Sequence, residues 1–184
     1  MEAESTIQRC AWKLLLRRRI QCLPIDMMAL CSALKIGIRW YADATDRNDA
    51  YSTVVDKKAT ILMRIGLTEA RRRFALAHEV GHILLGHVGQ VYPLISCEPD
   101  LVTEPGAELD ADCFAGELLA PTCVLRACYV QGPEEISALC GLTLKTGAFW
   151  WKHVEHMMAV HSYTPFEGRV LRQFEQYICS HRLC

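Results

Sequence analysis

Apolar positions open the chain at helical spacing. Ile7, Ala11, Leu14 and Leu15 recur with basic residues around them, so residues 5–22 (STIQRCAWKLLLRRRIQC) are predicted as a helix. Leu23-Pro24 punctuates it, and IDMMALCSALK resumes the helical pattern until Gly37. Between residues 37 and 65 the period shortens. GIRWYA, AYSTVVD and TILMRI are short, rich in branched and aromatic residues, and parted by DATDRND and by Lys57-Lys58. They predict a small antiparallel sheet of about three strands. From Thr68 the helical pattern returns. Thr68 is a candidate N-cap for a long helix that Gly89 can end, followed by a loop near 90–103 carrying Pro93 and Pro99. EPGAELDADCFAGELLA is the next helix, with Pro105 in its first turn and Pro121 closing it. Further helices are predicted near 121–130, 134–140, 143–160 and 165–181. The last opens with T-P-F-E, which supplies Thr164 as N-cap, Pro165 at N1 and Glu167 for a capping box. The pattern is that of a mostly helical α+β protein.

Composition narrows the class. At 184 residues with 51% apolar, the chain can bury the core of one domain. Lys and Arg total 20 against 21 Asp and Glu, so no overall field draws it to nucleic acid or to a membrane surface. Ten cysteines could suggest a disulfide framework. MEAESTIQRC lacks an apolar signal core, however, and no apolar run approaches a membrane span, which predicts a cytoplasmic protein with free thiols. No C-x-x-C pair is present, and residues such as Cys31 and Cys113 lie among apolar neighbours, where cysteine acts as a small core hydrophobe.

The chemistry concentrates in RRRFALAHEVGHILLGHVG, residues 71 to 89. His78 and His82 are four apart on one helix, so their side chains share a face and both can hold one zinc ion. Glu79 points to a neighbouring sector, where it can reach an attacking water rather than the metal. Gly81 sits inside the motif, where a missing side chain could let another element approach closely. A third ligand is still needed. His87 lies five residues past His82, a step that on a continuing helix turns it about 140° away. It reads better as a helix C-terminal residue stabilised by the dipole. In E-L-D-A-D-C-F-A, Glu108 and Asp112 share one face at i, i+4. That pair suits one carboxylate ligand and one carboxylate that accepts a hydrogen bond from a ligand imidazole. Asp110, about 160° off those two, is the alternative ligand.

These stretches together, RRFALAHEVGHILLGH and then ELDADCFAGELLAP, resemble the ImmA/IrrE family of metallo-endopeptidases over roughly residues 20–130. The family pattern is R-F-T-L-A-H-E-L-G-H followed by E-x-E-A-N-x-F-A-A-x-L-L-M-P. Asp110 stands where the family has Glu, Asp112 where it has Asn, and Ala120 where it has Met before the proline. The resemblance implies a zincin-like, gluzincin-type domain over residues 1–130 with a C-terminal helical extension over 131–184 packed on it. It implies a zinc ion held by His78, His82 and Glu108, with Glu79 as catalytic base. It further implies an endopeptidase that cuts a transcriptional repressor of a mobile element or stress response, with a helix-turn-helix protein as partner.

Two expectations concern the remainder. His153, His156, His161, Tyr163 and Arg72 are candidate donors to a developing oxyanion. PEEISALCGLTLKTGAFWWKHVEHM has the outline of a helix-turn-helix, with Gly141 at the turn and Lys145 and Lys152 on the later helix. Glu134, Glu135 and Glu155 dilute any basic face, so direct DNA binding is not expected and a protein-docking or structural role is. The competing reading is a metal-binding regulator that binds a repressor or DNA without proteolysis. Oligomeric state is not legible.

Overall fold

The computed structural model describes residues 5–88, 106–158 and 162–182. It is α+β. Three strands, β1 (Gly37–Tyr41), β2 (Ala50–Val55) and β3 (Lys58–Arg64), follow two helices, α1 (Thr6–Arg17) and α2 (Met27–Ala33). Then come α3 (Glu69–Leu85), α4 (Ala107–Leu119), α5 (Thr122–Ala127), α6 (Pro133–Cys140), α7 (Leu144–Met158), α8 (Pro165–Gln173) and α9 (Glu175–His181). No described helix is long and apolar enough to cross a membrane.

The sheet has the expected three strands but is mixed, not antiparallel. Its order is β1-β3-β2, with β2 antiparallel to β3 and β1 parallel to it. Burial explains the order: β3 carries the fully buried Ile61 and Met63 and takes the centre, whereas the more exposed β1 and β2 take the edges. Asp56 and Lys57, both at positive φ, form the two-residue hairpin turn between β2 and β3.

Several helix ends also differ from the sequence expectation, each through a local backbone cause. α1 stops at Arg17, before Arg19 at φ 52°, and α2 stops ahead of Lys35 at φ 58° rather than at Gly37. α3 is capped by Thr68, whose side chain accepts from the Arg71 amide, but Gly86 ends it in the left-handed region at φ 84°. The expected stop at Gly89, the 90–103 loop and Pro105 lie outside the described residues. The helix expected over 165–181 is two, broken at the fully buried Phe174. Its predicted capping box is present, Thr164 and Glu167 each accepting the other's backbone N–H.

The chain divides into two compact units, Met1–Cys10 with Asp26–Ala115, and Ala11–Ile25 with Gly116–Cys184. In the first, α3 lies against β2, β3 and α2. In the second, Trp12, Leu14, Leu15, Leu118, Leu125 and Phe174 are fully buried. Trp12 Nε1 donates to Glu117 Oε2 at 3.0 Å, and Thr122 donates to the same carboxylate through both its amide and its hydroxyl. The buried Cys31, Cys123 and Cys128 carry free thiols, and burial pushes Cys31 up to about 12. Cys10, by contrast, is disulfide-bonded, against the expectation of free thiols throughout.

Candidate metal centre

The helical period does what the spacing predicts. His78 and His82 leave α3 on one face, and their Nε2 atoms stand 2.9 Å apart. Glu108, in the first turn of α4, brings one carboxylate oxygen to 3.3 Å from His78 Nε2 and the other to 3.4 Å from His82 Nε2. The three donor atoms lie within 4.8 Å of one another, the one such metal-ligating group among the described residues. Asp110, the alternative, is outside it.

The donor set fits a divalent ion. Ligand atoms about 2.0–2.1 Å from a tetrahedral zinc stand about 3.3–3.4 Å apart, and Glu108 stands at that separation from each histidine, through Oε2 to His78 and Oε1 to His82. The two imidazole nitrogens need to part by only a few tenths of an ångström. Asp112 Oδ1 lies 2.8 Å from His78 Nδ1 and so holds that ring's proton on the nitrogen facing away from the cluster. With Nδ1 protonated, the neutral ring turns its Nε2 lone pair inward, toward a cation.

Two glycines set this geometry, one on each side of His82. A Cβ on Gly81 would sit 3.2 Å from Phe114 Cδ1 and 3.3 Å from both Cα and O of Ala111. The absence of that Cβ lets α4 lie against α3 closely enough for Glu108 to reach the histidines. Gly81→Val is therefore expected to overpack the crossing, lowering stability by about 1–3 kcal/mol in urea titrations. It should also weaken metal affinity, because the same shift withdraws Glu108. Gly86 acts differently. Its left-handed turn sends both its own N–H and that of His87 to the His82 carbonyl, and brings His87 Nδ1 to 3.0 Å from His82 Nδ1. The expectation that His87 points away assumed a continuing helix, and Gly86 ends it.

Electrostatics follow burial and charge. Burial depresses the His78 imidazolium, but the hydrogen bond and charge of Asp112, helped by Glu79 and Glu108, outweigh it and its pKa is raised. His82 is lowered by burial and by His78, with Glu108 and Asp112 opposing. His87 is lowered by burial and then by His82. Glu79 is buried and its pKa raised by that burial, against the pull of a Ser52 hydrogen bond and of His78. Nothing in the sequence motif points to Ser52. Its Oγ is buried and makes no hydrogen bond of ordinary geometry, yet its hydroxyl and amide lie near enough to Glu79 to hold the carboxyl down. The available signal is a polar residue on the Ala50–Ser52–Val54 face of β2, the more buried face of that strand.

The other candidates are placed as follows. Arg72 is half-buried on α3. His153 Nε2 lies 3.4 Å from the buried Glu117, His156 is exposed on α7, and the Arg126 guanidinium sits 4.5 Å above the Tyr163 ring. His161 lies outside the described residues.

Residues 33–145 match the sequence profile of the IrrE N-terminal-like domain, Peptidase_M78. No curated protein matches the chain.

Proposed function

The chain belongs to the ImmA/IrrE (Peptidase_M78) family of metallopeptidases, and from that premise we propose that it is a zinc-dependent endopeptidase acting on a helix-turn-helix repressor or a similar regulatory protein. The convergence of two imidazole nitrogens and a carboxylate beside a buried second carboxylate carries this reading. His78, His82 and Glu108 are the ligands, and Asp112 orients His78. Zinc held there supplies Lewis acidity to a peptide carbonyl and makes a neighbouring water easier to deprotonate.

The chain's own groups do the rest. Glu79 follows the first ligand histidine but is not one of the three convergent donors. A carboxylate oxygen of Glu79 takes the proton of the attacking water and hands it to the departing amine nitrogen. Burial favours the first of these steps, because it raises the affinity of Glu79 for the proton it must take.

The repressor as substrate follows from the family resemblance. A protein partner also suits α6 and α7, which form the expected helix pair with Gly141 in the left-handed turn between them. Leu144 and Phe149 are exposed there beside Lys145 and Lys152, an apolar and basic mixture fitted to protein more than to phosphate.

Metal analysis of the purified protein should return close to one zinc per chain. Chelation should stop cleavage of a helix-turn-helix repressor offered as substrate, and added zinc should restore it. Protein lacking near-stoichiometric zinc, or cleavage that survives metal removal, overturns the reading.

A further inference from the structure

We propose that His87 is a positioning residue of the metal centre: its Nδ1 accepts the Nδ1–H of His82 and so fixes that ring's tautomer and orientation. The inference rests on the reading of His78, His82 and Glu108 as metal ligands, and concerns a residue outside that set.

The chemistry of one ring leads to the next. His82 turns Nε2 toward the cluster, 2.9 Å from His78 Nε2 and 3.4 Å from Glu108. A neutral imidazole carries one N–H, so a ring that gives its Nε2 lone pair to a metal keeps its proton on Nδ1. That Nδ1 faces His87 Nδ1 at 3.0 Å, with the ring centroids 5.0 Å apart and the planes at 72°. The distance is that of an N–H···N hydrogen bond. His82 being the donor, His87 presents a bare Nδ1 and carries its own proton on Nε2.

His78 shows the same construction with a different partner, its Nδ1 held by Asp112 at 2.8 Å. Each metal-facing imidazole thus has its outer nitrogen anchored, one by a carboxylate and one by a neutral ring. The carboxylate adds charge and basicity to its ligand, whereas His87 adds orientation alone. The backbone is shaped for this contact. At φ 84°, Gly86 takes a conformation that side chains with a Cβ rarely adopt, and the turn returns residue 87 to the His82 ring.

The test compares the parent protein with His87→Leu, His87→Ala and His87→Asn. Asparagine places Oδ1 where Nδ1 stood and can accept the same N–H; leucine and alanine cannot. Zinc dissociation constants come from chelator competition, ligand geometry from the visible spectrum of the cobalt-substituted protein, and folding from the melting temperature of the metal-free form. H87L and H87A are expected to bind zinc about tenfold or more weakly, with shifted cobalt bands and an unchanged metal-free melting temperature. H87N is expected to recover most of the affinity and the parent spectrum. Should H87L fail to fold, H87A decides. Equal zinc affinity in the parent, H87L and H87A overturns this inference alone, as does an H87N as weak as H87L. A parent protein without zinc affinity overturns the metal reading and this inference with it.

Discussion

Replacing Glu79 with Gln is expected to lower peptide cleavage by about 10²–10⁴-fold while the protein keeps its zinc. The substitution preserves size and shape, so α3 loses no packing. It removes the charge, and with it the capacity to take a proton. Glu79 is buried but lies outside the group of donor atoms that converge on the candidate metal position, so its neutralisation leaves His78, His82 and Glu108 in place. Cleavage of the repressor followed by gel, with zinc content measured on the same samples, separates the possible outcomes. Loss of cleavage with zinc retained supports the role of base. Loss of both places Glu79 in metal binding. A variant that still exerts its effect on the repressor describes a regulator that binds without cutting.

The parts of this centre that were legible in the sequence share one property: each depends on periodicity within a single helix. His78 with His82, and Glu108 with Asp112, are i, i+4 pairs, and the faces they share follow from 3.6 residues per turn. What periodicity cannot supply is where a helix stops. On a continuing helix His87 lies about 140° from His82. One left-handed residue, Gly86, reverses that and makes the fifth residue a neighbour. Ser52 was missed for a related reason, since its importance lies in what α3 presents to β2, and AYSTVVD alone does not say which helix covers it.

Non-local pairing accounts for most of the remainder. Strands β1, β2 and β3 are recognisable one by one, but their order depends on which of them carries the most buried face, and the local pattern does not single out β3. The expected boundary near residue 130 gives no hint that Ala11–Ile25 group with the last third of the chain. That association is made by Trp12 with Glu117 and by the Gln173 amide, which donates to the carbonyls of Leu15 at 2.8 Å and Ile20 at 2.6 Å. Links of such sequence separation leave no local trace.

Glu167 shows both sides of this in one residue, and its replacement carries the largest expected effect on stability. The capping box was readable from T-P-F-E, and Glu167 Oε2 does accept the Thr164 amide at 2.7 Å. Its other oxygen does something the motif does not announce. Glu167 Oε1 receives Arg126 Nη1 at 3.1 Å, with both residues 4% exposed. The guanidinium is held further by the Ser162 carbonyl at 3.4 Å and by the Tyr163 ring. Glu167→Ala therefore removes a cap and leaves a buried cation without its carboxylate, which is expected to cost about 3–5 kcal/mol. Loss of the cap alone is worth about 1 kcal/mol, so the ion pair dominates. Glu167→Gln keeps one acceptor oxygen, puts an NH2 donor against either the Thr164 amide or the Arg126 guanidinium, and forfeits the charge, so it should fall between Ala and the parent. Replacing both partners, as in R126M with E167M, takes away the unpaired charge and should recover much of the loss. Urea denaturation at constant m-value reads all four proteins. If Glu167→Ala lies within about 1 kcal/mol of the parent, only the cap is contributing and Arg126 has found water; a double variant no better than the single shows that geometry, not the stranded charge, sets the cost.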